Sequence, residues 1–118
     1  MHAVSEHGEM RAALANTLVA LMKEHFGKGP TAAKAFINDE YVLVVLEDGL
    51  TQSERTLLDS GREDLVRDYR LAFQRVVTTE FCSAVERIVG RRVLTYQSQI
   101  VFEPARSFEI FVLDRGLN

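Results

Sequence analysis

Apolar residues recur at helical spacing between Ser60 and Gly90, and this pattern predicts one long helix. Ser60 and Glu63 stand in the S-x-x-E order of a capping box, in which each side chain binds a free backbone N–H at a helix start. Gly90 predicts the end, because glycine readily adopts the left-handed conformation that terminates helices. The periodic apolar residues are Leu65, Val66, Tyr69, Ala72, Phe73, Val76, Val77, Phe81, Ala84, Val85 and Ile88.

The length of this helix raises the question of what covers it. At about 1.5 Å per residue it would be roughly 40 Å long, whereas a compact domain of this size has a radius of gyration of about 13 Å. Its apolar stripe also drifts by about a quarter-turn at the β-branched run Val76-Val77-Thr78-Thr79. We therefore expect either a kink in the helix or two halves that contact different neighbours. A partner chain is one candidate for such a neighbour.

The rest of the chain predicts one more long helix, one short helix and four strands. The predicted elements are a helix over residues 10–26 that ends at Gly27, strands over 32–37 and 41–47, a short helix over 51–58, and strands over 92–101 and 107–113. Thr51 and Glu54 form a second capping box, at the start of the short helix. The order resembles two α-β-β units, which indicates either a duplication or a coincidence of element order.

The strand over residues 41–47 is apolar on both of its faces. An antiparallel strand usually keeps one face in water, so we expect helices over one face and a second layer or a second subunit over the other. The predicted fold is α+β: a two-layer sandwich in which a four-stranded, mainly antiparallel sheet of two hairpins is packed by the N-terminal helix and the long helix. We expect a homodimer, with an interface at Tyr41, Leu43, Val45, Phe81 and Val85.

Composition narrows the class of protein. The 118 residues, 47% of them hydrophobic and 26% charged, suit one globular domain, in which polar residues 1–8 are expected to be flexible. The net charge of −3 argues against nucleic acid as the partner. The single cysteine, Cys82, suits a reducing cytosol. No apolar run approaches the ~20 residues of a membrane span, so we predict a cytoplasmic protein without direct membrane insertion.

An anion site is the most specific binding hypothesis that the residues allow. The loop Gly27-Lys28-Gly29-Pro30 offers backbone N–H groups and the charge of Lys28, and Arg62 stands where free N–H groups at the start of the long helix attract anions. Lys28, Gly29 and Arg62 are therefore candidate anion-binding residues. The structural alternative is a helix stop followed by a turn, with Arg62 in an exposed first helical turn.

No combination of residues indicates catalysis. The three histidines His2, His7 and His25 lack the spacing of a metal site, and His25 is expected to interact with the C-terminus of the first helix. Cys82 has no base near it in the sequence. The carboxylates Asp39, Glu40 and Asp48 stand at turns, where acidic residues are ordinary. We therefore predict no catalytic residue, no metal and no cofactor.

Short motifs along nearly the whole chain resemble one bacterial family. They are Phe26-Gly27-Lys28-Gly29-Pro30, the strand pair ending in Leu46, Leu50-Thr51-x-x-Glu54, Gly61-Arg62 with Leu65-Val66 and Arg70, and the closing pattern from Gly90 and Val93 to Leu113-Asp114. The sequence resembles the MpsC-like family, formerly a domain of unknown function and named for the third component of a Na⁺-translocating, membrane-potential-generating system. The resemblance implies transporter-like partners that import inorganic carbon or generate membrane potential. The resemblance implies no catalytic residues at positions of this sequence.

Three hypotheses for function follow. The first is a non-enzymatic cytoplasmic accessory or regulatory protein that acts through protein–protein contacts, with a membrane transporter subunit as partner. The second is a small-ligand or anion-binding module. The third is an uncharacterised small enzyme, which would need a pocket that gathers Asp39, His25 or Cys82.

Overall fold

The computed structural model describes residues 7–118, and their elements follow the predicted order. The helices are α1 (Gly8–Phe26), α2 (Gln52–Asp59) and α3 (Glu63–Val89), and the strands are β1 (Ala32–Asn38), β2 (Tyr41–Glu47), β3 (Val93–Val101) and β4 (Arg106–Leu113). The predicted α+β class is confirmed. The expected flexibility of residues 1–8 falls mostly on residues 1–6, which lie outside the described range, and Gly8 begins α1.

Both long helices end where glycine predicts. Gly27 after α1 and Gly90 after α3 have φ angles of 78° and 68°, in the left-handed region, and each N–H binds a carbonyl one turn earlier. The predicted start of α3 was wrong, because Ser60 caps the end of α2 instead. Its N–H binds the carbonyls of Thr56 and Leu57, so Ser60 belongs to the preceding helix, and Arg62 precedes α3 without a side-chain cap.

The four strands form one antiparallel sheet in the order β1-β2-β4-β3. Each hairpin contributes one edge strand and one central strand, so the two hairpins meet where β2 pairs with β4. Val44 of β2 pairs with Glu109 of β4, and Glu109 in turn pairs with Ser98 of β3. This arrangement suits two α-β-β units, although a duplication remains an interpretation.

The inner face of the sheet carries the main hydrophobic core, under α1 and the second half of α3. The core residues are Leu14, Leu18, Met22, Ala35, Val42, Val44, Leu46, Val77, Phe81, Val85, Val89, Tyr96, Phe111 and Leu113. In the first half of α3, Val66 joins a separate small cluster with Leu50 and Ile100. The helix is continuous and its two halves contact different neighbours, as one of the two alternatives expected. Its roughly 40 Å run along a molecule whose longest dimension is 47 Å.

Two of the five predicted interface residues lie in this core. Phe81 and Val85 are 1% and 0% exposed, so the prediction that they face a partner was wrong. Both lie on the side of α3 that carries Val77, and that side packs against the sheet. The sequence periodicity located the apolar stripe but did not reveal which part of it the chain itself covers.

The outer face of the sheet has no covering element among residues 7–118. Tyr41 is 53% exposed, Phe36 and Ile110 are also exposed, and Leu43 and Val45 are half-buried between neighbouring strands. Phe36, Leu43 and Ile110 are successive partners across β1, β2 and β4, so they form one apolar row. Among residues 7–118, the expectation that both faces are covered is met for the inner face only; a second subunit over the outer face stays a prediction.

Candidate functional site

A cavity of about 140 Å³ lies between α3 and the inner face of the sheet, beside the end of α1. An apolar cavity of ~150 Å³ holds a molecule of the size of benzene, so a small ligand fits here. The apolar lining consists of Met22, Phe26, Leu71, Phe73, Val77, Phe81 and Ile100. The polar lining consists of Arg67, Arg70, Gln74, Tyr96, Ser98, Gln99 and Ser107.

A fully buried carboxyl group, that of Glu109, lies behind the polar wall of the cavity. Tyr96 Oη donates a hydrogen bond to its Oε1 at 2.5 Å, and Ser98 Oγ donates to its Oε2 at 2.8 Å. Ser107 Oγ donates to Oε2 as well. The register places these groups, because Ser98 pairs with Glu109 and Tyr96 pairs with Phe111 on the same face of the sheet.

Burial raises the pKa of Glu109 above its ordinary value. The three hydroxyl donors and the more distant charge of Arg70 favour the ionised form, but they do not offset the loss of water. Burial and the neighbouring Glu109 charge also raise the pKa of Tyr96, so its phenol stays a hydrogen-bond donor. The Tyr96 ring stacks on Phe111 with centroids 4.6 Å apart, which fixes the hydroxyl over the carboxyl group.

A second polar contact ties α3 to the edge of the sheet. The side-chain amide of Gln74 donates to the carbonyl of Tyr96 at 3.2 Å, and its oxygen accepts from the N–H of Ser98 at the same distance. β3 is an edge strand, so these two backbone groups have no neighbouring strand to bind. Gln74 therefore occupies part of an edge that another chain would otherwise pair with.

Arg70, which also lines the cavity, forms a buried ion pair with Glu54. Its Nε and Nη2 each lie 2.6 Å from an oxygen of Glu54, Nη2 also donates to the carbonyl of Gly49 at 3.1 Å, and the guanidinium lies 3.9 Å from the centre of the Phe26 ring. Burial alone would raise the pKa of Glu54, but the hydrogen bonds from Arg70 and Thr51 outweigh it and lower the pKa. Glu54 also completes the capping box with Thr51, as the sequence predicts.

The candidate anion residues already face carboxylates or carbonyls of this chain. Lys28 Nζ donates to the carbonyl of Asp48 at 2.9 Å, and Arg62 binds both carboxylate oxygens of Asp64 at 3.2 Å. Gly29 packs in the turn against the side chains of Lys23 and Val19. The structure gives these three residues no common partner, so anion binding stays a prediction.

The other singled-out residues lie apart from one another. His25 binds Glu80 on α3 at 2.8 Å rather than the end of its own helix, and with Glu24 it forms the kind of exposed acidic group that occurs often without a metal. Burial raises the pKa of Cys82, as for an unreactive thiol. Asp39 and Asp48 flank the two ends of β2, which places them on the order of 25 Å apart.

The sequence alone did not single out Glu109, its hydroxyl donors or Gln74. One signal was present: Glu109 shares the inward register of Phe111 and Leu113, so the alternation of β4 places a carboxyl group in the core. The pairing of β3 with β4 then supplies Ser98 and Tyr96. That pairing depends on the sheet order, which the sequence pattern does not contain.

One family model covers nearly the whole chain. It is described as Na⁺-translocating membrane potential-generating system (MpsC), and it matches residues 6–115. The chain belongs to the MpsC family. No curated protein and no solved structure matches it significantly. The resemblance that the motifs indicated is thus confirmed, and the name of the MpsC family links the chain to a membrane transport system. Among residues 7–118, no helix has both the length and the apolar character needed to cross a bilayer.

The first prediction concerns the pH dependence that Glu109 gives this MpsC-family protein. The folded state raises the pKa of Glu109 above the unfolded value, so it binds this proton more tightly, and the group costs stability as pH rises above about 4.5. We expect Glu109→Gln to be more stable than the parent near neutral pH and to lose this advantage at pH 4. Urea denaturation of both proteins from pH 4 to 8 measures the difference. A constant difference across that range would contradict the assignment.

The second prediction concerns the Arg70–Glu54 ion pair. Arg70→Met leaves a buried carboxylate without its cation, so we expect it to lower the free energy of unfolding by about 3–5 kcal/mol. Glu54→Gln retains an oxygen for the cap at Thr51, and the double variant should cost less than the sum of the two single changes. Urea denaturation gives all three values. Additive losses, or a loss below about 1 kcal/mol for Arg70→Met, would exclude a coupled buried pair.

Proposed function

We propose that this protein is a non-enzymatic accessory or regulatory protein that acts in the cytoplasm through protein–protein contacts with a subunit of a membrane transport system. The outer face of the sheet is the observation that carries the proposal. Antiparallel sheets with one solvated face normally alternate apolar and polar residues, yet Phe36, Leu43 and Ile110 form an apolar row on the open side. The family description supplies the transport system.

The chemistry of this outer face suits a protein surface better than a small molecule. The apolar row lies on a broad strand surface rather than in a pocket, and Lys34 and Gln97 border it on the two edge strands. An apolar centre with a polar rim is the usual anatomy of a protein interface. Tyr41, Leu43 and Val45, for which the sequence predicts a homodimer interface, all lie on this face.

The state of the ionisable groups supports a role without catalysis. Glu109 is held by three hydroxyl groups, and the Nε and Nη2 of Arg70 are held by Glu54 and Gly49. Among the described residues, Asp39, His25 and Cys82 stand on separate elements, and none of them lines the 140 Å³ cavity. A small enzyme would need some of these groups to converge on one substrate.

A second function, small-ligand binding, has a specific observation in its favour. The 140 Å³ cavity combines apolar walls with polar side chains from α3 and from the sheet, a combination that is usual in ligand sites. The fitting ligand is a largely apolar molecule of about the size of benzene with one polar group directed at the hydroxyls or at Arg67. This cavity is a different place from the loop of Lys28 and Gly29 that the sequence indicated.

The third prediction tests the accessory role in cells. Deleting the gene should lower the Na⁺-dependent membrane potential, and the parent protein should restore it. The variant Phe36→Asp/Ile110→Asp should not restore it, because two charges in the apolar row prevent burial against a partner. A photo-crosslinker at Phe36 should label a membrane-embedded transporter subunit.

Leu94→Asp is the matched control, since Leu94 is an exposed apolar residue that lies beside Thr78 of α3, away from the apolar row. All variants should unfold within about 0.5 kcal/mol of the parent, as expected for surface changes. Full restoration by Phe36→Asp/Ile110→Asp would exclude the outer face as the contact.

The fourth prediction tests the ligand site. Benzoate or benzyl alcohol should raise the melting temperature, because a ligand at 100 times its Kd adds about 2.7 kcal/mol of stability. Leu71→Trp, at the rim of the cavity, should abolish the rise, and Ile110→Trp on the outer face should not. Bicarbonate, phosphate and nucleotides, with Lys28→Ala as their control, test the loop site in the same assay. If none of these compounds shifts the melt, both binding hypotheses fail.

A further inference from the structure

The first half of α3 carries an exposed apolar seam. Leu65, Tyr69, Ala72 and Val76 follow one another at intervals of four, three and four residues, which is the spacing of the contact positions in a coiled coil. All four are exposed, and Val76 is 82% exposed. Exposed residues at this spacing form a straight line that suits one neighbouring helix.

The rest of the chain leaves this seam open. The inward side of the same half-helix is occupied, since Val66 packs against α2 and Phe73 packs on the main core. Tyr69 touches the Phe26 ring, with centroids 6.1 Å apart, but keeps about half of its surface exposed. A second helix over the seam would therefore add to the present packing without displacing any of it.

We propose that the seam is the interface of a homodimer in which two copies of α3 pair antiparallel, about a two-fold axis between residues 70 and 71. In this register Tyr69 faces the partner's Ala72, and Leu65 faces the partner's Val76. A large ring thus meets a small side chain, and each contact occurs twice, as two-fold symmetry requires. The Leu65–Val76 layers close the two ends of the seam.

Charge complementarity identifies a second copy as the occupant. Asp68 and Arg75 directly precede Tyr69 and Val76, so both flank the seam on the same side. Antiparallel pairing in the stated register places Asp68 opposite the partner's Arg75, again twice. Within residues 7–118 neither side chain forms an ion pair, so both charges are available to the partner. Flanking charges of this kind set the partner and the orientation of paired helices.

A parallel pair would use the same residues less well. It would place Tyr69 against the partner's Tyr69 and Asp68 beside the partner's Phe73. It would offer Arg75 the partner's Glu80, which already binds His25 at 2.8 Å. The antiparallel arrangement therefore satisfies both flanking charges. It does not depend on the proposed function, because the seam lies on the helical layer and the accessory contact lies on the outer face of the sheet.

Charge reversal tests both the partner and the orientation. Sedimentation velocity over a dilution series of the full chain should show a dimer. Asp68→Arg or Arg75→Asp alone places like charges opposite each other twice, so each should raise the dimer dissociation constant by about tenfold or more. The double variant Asp68→Arg/Arg75→Asp restores opposite charges and should return the constant to within about threefold of the parent.

Controls separate dimerisation from folding and from the accessory contact. Val76→Asp should give a monomer that keeps the far-ultraviolet circular dichroism spectrum of the parent, and Ile110→Asp on the outer face should remain a dimer. A monomeric parent at all concentrations, or a dimer unaffected by Val76→Asp, overturns the proposal. Weakening by Arg75→Asp without weakening by Asp68→Arg, or no rescue by the double variant, overturns the antiparallel arrangement. A protein that forms the dimer but makes no contact with a transporter subunit would refute the accessory role and leave the dimer proposal intact.

Discussion

The structure depends on an imbalance between the apolar surface of the sheet and the helices available to cover it. A sheet must bury its apolar face against another layer, and α1 with the second half of α3 covers the inner face. The outer face of β2 carries Leu43 and Val45, and no element among residues 7–118 lies over them. The first half of α3 repeats the imbalance, since it extends past the core with Val76 in water. The two open surfaces lie on opposite layers.

The two buried carboxyl groups, those of Glu54 and Glu109, have pKa values that their surroundings shift in opposite directions. Glu54 receives the guanidinium of Arg70, so its pKa is lowered and its contribution to stability disappears as pH falls through that lowered value. Burial raises the pKa of Glu109, its hydroxyl donors do not offset this, and its cost to stability therefore grows as pH rises. Stability should therefore decline on both sides of a maximum. Neither group requires a substrate to explain its environment.

Local signals in the sequence predicted most of the fold, and the features that they predicted wrongly have physical explanations. Gly27, Gly90 and the Thr51–Glu54 box each act within one helical turn, and the structure keeps all three. Ser60 was assigned to the wrong helix because a serine between two helices can end one or begin the next. Phe81 and Val85 were placed in an interface because periodicity does not say which neighbour covers a stripe. The Glu109 cluster and the cavity depend on the order of strands, which only the tertiary structure contains.

The separation of the two open surfaces has a consequence for function. Pairing of two α3 helices would bury the seam in the middle of the assembly and leave the outer sheet face of each copy uncovered. Such a dimer would present two identical contact surfaces. Binding at one surface then raises the effective concentration of the second surface near any further copy of the same partner. Under the function proposed above, such a dimer would connect two transporter subunits, using apolar area that one copy of the chain leaves exposed among its described residues.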